Sequence, residues 1–391
     1  MGFTIVSVSF GPFLLKEKDA GYGILSLLCA GFGLGGNMRR YFIDNLRWLA
    51  VLFLFPYHCC MVYNDFGESF YVKGAEAALA GRFIVAFWPW FMPLLFTIAG
   101  ISAAYALAAK GTRAYAKERV MRLLIPLLFG LLLLVPMQTY IAEVFHNGYT
   151  GGYLRQYILF FTKPTDLSGY QGGFTPAHLW FLLYLFLISM ITLPLLHWYS
   201  RSKKRLPLDK LPLVALLALF IVPVFTQMIL DISGKSVGEY LTYFLFGYFI
   251  LSDEHVQDKL LRFRFLLLGL ALSGMIVCVL WHSAIEAYST VLYELLYAFY
   301  AWVTILAILG LGKRYLDFSN AGTAYLSKAF FPLYIFHQQW LVLAAYFALQ
   351  WFSAIPLQMA FILLASAALS FLNYELFRRI PLTRFMFGIK R

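Results

Sequence analysis

From about residue 46 onward the chain repeats one pattern: long apolar runs separated by short charged or polar connections. Ten runs read as helical spans, at 46–63, 83–109, 120–142, 178–199, 211–230, 237–251, 263–281, 291–311, 329–350 and 355–377. A helix needs about 20 apolar residues to cross a hydrocarbon core of ~30 Å, and all but the short 237–251 run approach that length. Lipid offers no partner to backbone N–H and C=O groups, so such runs must satisfy them internally, as helices do. The pattern predicts an all-α, polytopic integral membrane protein with about ten transmembrane helices.

The connections alternate in charge. One set carries Arg39 and Arg40; Lys110, Arg113, Lys117, Arg119 and Arg122; Arg201, Lys203, Lys204, Arg205 and Lys210; Lys259, Arg262 and Arg264; Lys313, Arg314 and Lys328; and Arg378, Arg379, Arg384, Lys390 and Arg391. The other set carries only Lys73, Arg82, Arg155, Lys163 and Lys235, mixed with Asp65, Glu68, Glu76, Asp166 and Asp231. Cytoplasmic connections are enriched in Lys and Arg, so this asymmetry predicts that both termini face the cytoplasm.

Composition agrees with that picture and removes others. Of 391 residues, 61% are hydrophobic and 13% charged, about half the charge of a soluble chain. No long polar stretch is available to form a separate soluble domain, so 38–391 reads as one membrane domain. The net charge of +12 does not point to nucleic acid, because the cations sit in short connections rather than on a basic helix face. Cys29, Cys59, Cys60 and Cys278 all lie in apolar runs, without the spacing of a disulfide framework or a zinc site. No bound metal or cofactor is expected. Residues 1–37 are different: Lys16, Glu17, Lys18 and Asp19 split two Gly-rich apolar runs. There is no cationic leader or cleavage signature, and Met38 stands just before the first recognisable element, where the native chain is expected to start.

The longest connection on the less basic side, 143–177, is rich in Gly, Thr and Tyr and shows no helical stripe. Long Gly/Tyr loops suit sugars and other polar polymers through stacking and adaptable hydrogen bonds; an irregular surface loop has the same composition.

Candidate chemistry begins with RRYFIDNLRWLAVLFLFPYHCCMVY, 39–63. Arg47 and His58 are eleven positions apart, three helical turns plus about 20°, which puts them on one face and ~16 Å apart along the axis. An ionisable group within a membrane is costly and is a functional candidate by default. An imidazole there serves as general base, metal or haem ligand or proton relay, or is a structural histidine bonded between helices. Cys59 and Cys60 point elsewhere on the helix, which argues against a cysteine nucleophile activated by His58. His337, in AFFPLYIFHQQWLVL, is a second histidine at depth, with Gln338 and Tyr334 close by in sequence. His178 and Trp180 stand at the head of their span, where a Trp commonly anchors at the interface and a His is either solvated or oriented toward an acceptor. Arg119 and Arg122, three apart, present two guanidinium forks suited to a phosphate-bearing ligand. Asp44 lies one turn from Arg47, placed to support an arginine.

Taken in order, these residues resemble the multi-pass membrane enzymes of acyltransferase family 3. Arg47 and His58 match its R-x10-H signature, and Arg119 and Arg122 its RxxR element ahead of Pro126. HLWFLL at 178–183 and SKAFFPLYIFHQ at 327–338 match later signatures, so the resemblance covers about 39–391. YFIDNLRW near the start and YELFRRIPLTRF at 374–385 resemble the subgroup containing glucan biosynthesis protein C, which succinylates periplasmic glucans. In FTIAGIS, 96–102, the family's serine before the glycine is replaced by Ala99.

The resemblance implies a bacterial inner-membrane O-acyltransferase. It would move an acetyl or succinyl group from cytoplasmic acyl-CoA, its co-substrate, to a hydroxyl of an extracytoplasmic glycan. His58 would be the catalytic base or a transient nucleophile. Arg47, Arg119 and Arg122 would bind the donor; His337, His178 and Trp180 would shape the acceptor side; Asp44 would give structural support. The bilayer, acyl-CoA and a hydroxyl-bearing acceptor are the expected partners, with no nucleic acid. A transporter or flippase for an anionic or lipid-linked solute shares the apolar spans and buried ionisable groups, but would consume no acyl-CoA.

Overall fold

The structure is a computed structural model that describes residues 40–67, 70–165, 167–170, 172–202, 206–232 and 234–389. The expected N-terminal extension 1–37, the start at Met38, Arg39, Glu68, Asp166, the 203–205 cations and the final Lys390 and Arg391 lie outside the described residues.

The described chain is all-helical, and an isolated Asp231–Ser236 bridge is the only β-type pairing among the described residues. In chain order the helices are α1 (Tyr41–Met61), α2 (Ala78–Lys110), α3 (Thr112–Arg119), α4 (Ile125–Leu133), α5 (Val135–Asn147), α6 (Tyr153–Thr162) and α7 (Trp180–Arg201). They continue as α8 (Leu213–Ala218), α9 (Ile221–Thr226), α10 (Val237–Phe246), α11 (Glu254–Arg262), α12 (Arg264–Tyr288) and α13 (Thr290–Tyr315). The last three are α14 (Ala321–Trp351), α15 (Ile355–Phe377) and α16 (Pro381–Met386).

Each expected span contains helix among the described residues, the 211–230 run only in two short pieces. Six helical stretches are long and apolar enough to cross a membrane: Ala78–Lys110, Thr112–Asn147, Ala177–Arg201, Arg264–Ile285, Thr290–Tyr315 and Ile355–Phe377. α1 and α14 are long but less apolar, because Asp44, Asn45, Arg47 and His58 interrupt one and His337, Gln338 and Gln339 the other. The two helices that trade hydropathy for polar groups are the two that carry the candidate chemistry.

Two expectations need correction. The 211–230 run is not one helix. It breaks between α8 and α9 around Leu219 and Phe220, with Pro223 inside the second piece. The 143–177 connection is not without helix: α6 lies within it, burying Gln156 and Phe160. Its outward face is also apolar, with Leu154, Ile158 and Phe161 exposed. No polar stripe therefore marked it in the sequence.

α14 packs along both α15 and α1, and α2 along α10. The α2–α10 crossing is close because of two glycines. A Cβ on Gly100 would meet the Phe244 carbonyl oxygen at 2.0 Å, and one on Gly247 the Thr97 oxygen at 2.1 Å. Small residues let helix backbones approach in this way where lipid gives no hydrophobic drive between helices. Gly247 also opens a π-helical turn, Gly247–Leu251, and a second such turn, Val120–Leu124, carries Arg122. The start of α14 is fixed by a capping box, in which Asn320 and Thr323 exchange side-chain and backbone hydrogen bonds.

Candidate active site

His58 lies in the last turn of α1, beyond the Pro56 that removes one backbone donor from the helix. It sits near the end of its helix rather than halfway along, since α1 stops at Met61. From the parallel course of α1 and α14, the ring of His337 comes within 5.3 Å of that of His58, centroid to centroid. The ring of His178 is 5.1 Å from that of His337 and nearly perpendicular to it. His337 is wholly buried and His178 only 6% exposed, so the solvated alternative for His178 does not hold. It stands in a short 3-10 turn, Ala177–Leu179, ahead of α7.

The protons of two of these rings can be placed by elementary bonding. A backbone carbonyl only accepts, so the ring nitrogen against it must carry hydrogen. His178 Nε2 therefore donates to the Ile335 carbonyl at 2.9 Å, and His337 Nδ1 donates to the Tyr334 carbonyl at 2.6 Å. In the neutral rings, His178 Nδ1 and His337 Nε2 are then lone pairs, and both are buried without a partner. His58 Nδ1 is also buried and unpartnered. The Tyr334 hydroxyl donates to the backbone oxygen of His178 and so ties the two segments together. Three imidazoles, each with one buried unpartnered nitrogen, gather in an aromatic-lined chamber, His178 and His337 buried and His58 half-buried.

Aromatic side chains close this chamber. Phe70 stacks on His58, and Phe55 meets His337 edge-on. The Phe70 backbone oxygen accepts from His146 Nε2 at 2.6 Å, and Tyr71 packs edge-to-face on Tyr170 of the following connection. Trp180, by contrast, packs with Tyr184 and Tyr240 at 5.2 and 5.3 Å, and the Lys235 ammonium lies 5.8 Å from its ring centre.

The arginines occupy other surroundings. Arg47 Nη1 pairs with Asp44 Oδ1 at 2.6 Å, and Arg47 Nη2 donates to Ser102 Oγ. Ser102, one turn beyond Ala99 on α2, was not anticipated as a partner; it in turn donates to the Ile98 carbonyl. The Arg119 guanidinium lies 4.6 Å from the Tyr115 ring centre. Arg122 Nε pairs with Glu118 at 3.3 Å, which also binds Lys110. Arg122 and Arg384 line a cleft of about 300 Å³ with Met121 and Phe385. Lys110, Arg113 and Lys117 line another, of about 580 Å³. Among the described residues no group of three His, Cys, Asp or Glu side chains is arranged to hold a metal ion. Cys59, Cys60 and Cys278 are free thiols in the core.

The sequence reading also missed Gln138, whose Oε1 accepts from Gln338 Nε2 at 3.2 Å beside the histidines. Its one legible signal was a polar residue within the apolar α4–α5 stretch.

Comparison with known proteins shows what the chain as a whole is similar to. The model of the acyltransferase domain family, acyltransferase family 3, matches residues 40–375. The chain is 24% identical to glucans biosynthesis protein C of Salmonella heidelberg (strain SL476) over 392 aligned residues, covering 90% of this chain and 95% of the relative. The protein of that name from Salmonella typhi gives the same identity and coverage. No solved structure is significantly similar. A match spanning most of the chain, on helices that bring the signature histidines into one enclosure, identifies this membrane protein as a member of acyltransferase family 3.

Proposed function

We propose that the protein transfers an acetyl or succinyl group from acyl-CoA to a hydroxyl of an extracytoplasmic glycan, of the glucan type suggested by its relatives' name. It would act from the bacterial plasma membrane with both termini in the cytoplasm. The observation that carries the reading is the histidine chamber, because a hydroxyl becomes a competent nucleophile when a neutral imidazole nitrogen takes its proton.

In this reading Arg47, held by Asp44 and Ser102, and Arg119 and Arg122 bind the donor's phosphates. The pantetheine arm then reaches toward His58; its extended length, ~15–20 Å by bond geometry, matches the ~16 Å from Arg47 to His58 along α1. His58 serves as general base, a role typically contributing about 10²–10⁴-fold. His178 and His337 orient the acceptor, and Trp180 with its aromatic neighbours forms the wall behind them.

The decisive experiment compares surface glycans, by mass spectrometry, from cells with the wild-type protein, His58→Ala and a deletion. Free-thiol release from acyl-CoA is measured on the purified proteins. A glycan mass increment and thiol release confined to wild type are expected. Glycans that are identical in all three, with no thiol release, would sink the reading and leave transport as the activity to pursue.

A further inference from the structure

The chamber holds free proton acceptors, and the reaction needs donors beside them. Transfer to a hydroxyl requires both, because the acyl oxygen becomes an oxyanion while the base takes the hydroxyl's proton. His178 and His337 have each committed their ring N–H to a backbone carbonyl. Neither can stabilise the oxyanion while neutral.

A donor stands next to them. Gln338 follows His337 on α14 and reaches across to Gln138 on α5. Both amides are almost completely buried, at 3% and 0% exposure. Gln138 Nε2 and Gln338 Oε1 are left without partners. Turning both amides over would move the free NH₂ to Gln338, so the residue whose variants lose more kcat reports which orientation acts. One turn beyond Gln138, Ile141 and Ala142 pack in the same cluster as Cys59 and Phe70, the chain neighbour and the ring neighbour of His58. An unpartnered buried amide is expensive, and this one carries a free donor on the same helix that sets His146 against the Phe70 backbone.

We propose that Gln138 Nε2 binds the thioester carbonyl and the oxyanion it becomes, with Gln338 as its positioning residue. The acceptor oxygen attacks the acyl carbon as its proton passes to His58. The C=O electron pair moves onto oxygen and is held by Gln138. On collapse the C–S bond breaks with its pair on sulfur, and the His58 proton passes to that thiolate. The products are an ester and free CoA thiol. This assignment rests on the acyltransferase reading above.

The test is kinetic, on protein in proteoliposomes with acyl-CoA and a glucan acceptor. Gln138→Glu keeps the acceptor for Gln338 and replaces only the NH₂ with oxygen; Gln138→Leu removes both. Each is expected to lower kcat by about 10²–10³-fold, the usual cost of one oxyanion donor, with KM for acyl-CoA little changed. Gln338→Leu, which leaves Gln138 intact, is expected to lower kcat by a smaller factor and carries the test if the Gln138 variants fail to fold. Folded Gln138 variants with wild-type kcat, or a loss confined to KM, would overturn the assignment while leaving the parent reading intact. Absence of thiol release from the wild-type protein would overturn that reading, and this one with it.

Discussion

The ring of Phe70 lies nearly parallel to that of His58, with centroids 6.0 Å apart and planes 13° from coincidence. Phe70 is 3% exposed and covers the imidazole from a connection between helices, not from a helix. His58 is half-buried, so Phe70→Ala should expose it further. Modification of His58 by diethyl pyrocarbonate, followed by peptide mass mapping, should accelerate at least several-fold in that variant. The lost burial should also lower stability by about 3–5 kcal/mol. An unchanged modification rate would mean that Phe70 is not the cover.

Ser102 holds Arg47 from α2, while Asp44 holds it from within α1. Hydrogen bonds to a charged group contribute about 1.5–3 kcal/mol. Ser102→Ala should let the guanidinium swing and raise KM for acyl-CoA by about tenfold, with kcat nearly constant, the signature of lost ground-state binding. Steady-state kinetics at varied donor concentration decides this; an effect on acceptor KM alone would place Arg47 on the wrong substrate.

Gly100 and Gly247 face backbone, not the flexible ends of side chains. Neither neighbour can yield without parting α2 from α10, so Gly100→Ala and Gly247→Ala should each destabilise by about 1–3 kcal/mol, as overpacking does. Thermal melting in detergent measures it, with Gly269→Ala as the control because nothing lies within 4 Å of its added methyl group.

Asn320 closes the capping box of the helix that carries His337 and Gln338. Asn320→Ala should cost about 1 kcal/mol. Its effect on transfer should be small, since the cap lies several turns from His337. A large loss of kcat at unchanged stability would show that α14 is not a rigid support.

The helices were legible because apolar run length is a local property, and the R-x10-H spacing placed Arg47 and His58 on one face from helix geometry alone. The Asp44–Arg47 pair was legible for the same reason. What local pattern does not encode is which helices face each other. His178 looked like a helix-end residue because its burial comes from α14, which lies far along the chain. Ser102 looked like one small residue in an apolar run until α1 packed against α2. Gln138 and Gln338 each resembled an isolated polar defect, and acquire meaning only as a pair. α6 escaped notice because it is only ten residues long and lies within a connection otherwise rich in Gly, Thr and Tyr.

The bond from His146 to the Phe70 carbonyl has a consequence for the cell as a whole. An energised membrane loses about 2.3 kcal/mol for each elementary charge that crosses 100 mV unproductively. A row of imidazoles in a water-filled passage would conduct protons. With Phe70 pinned over His58, one face of that imidazole lies against an aromatic ring instead of water. On the proposed acyl-transfer reading, that cover would keep a proton-handling centre from short-circuiting the gradient across the bilayer.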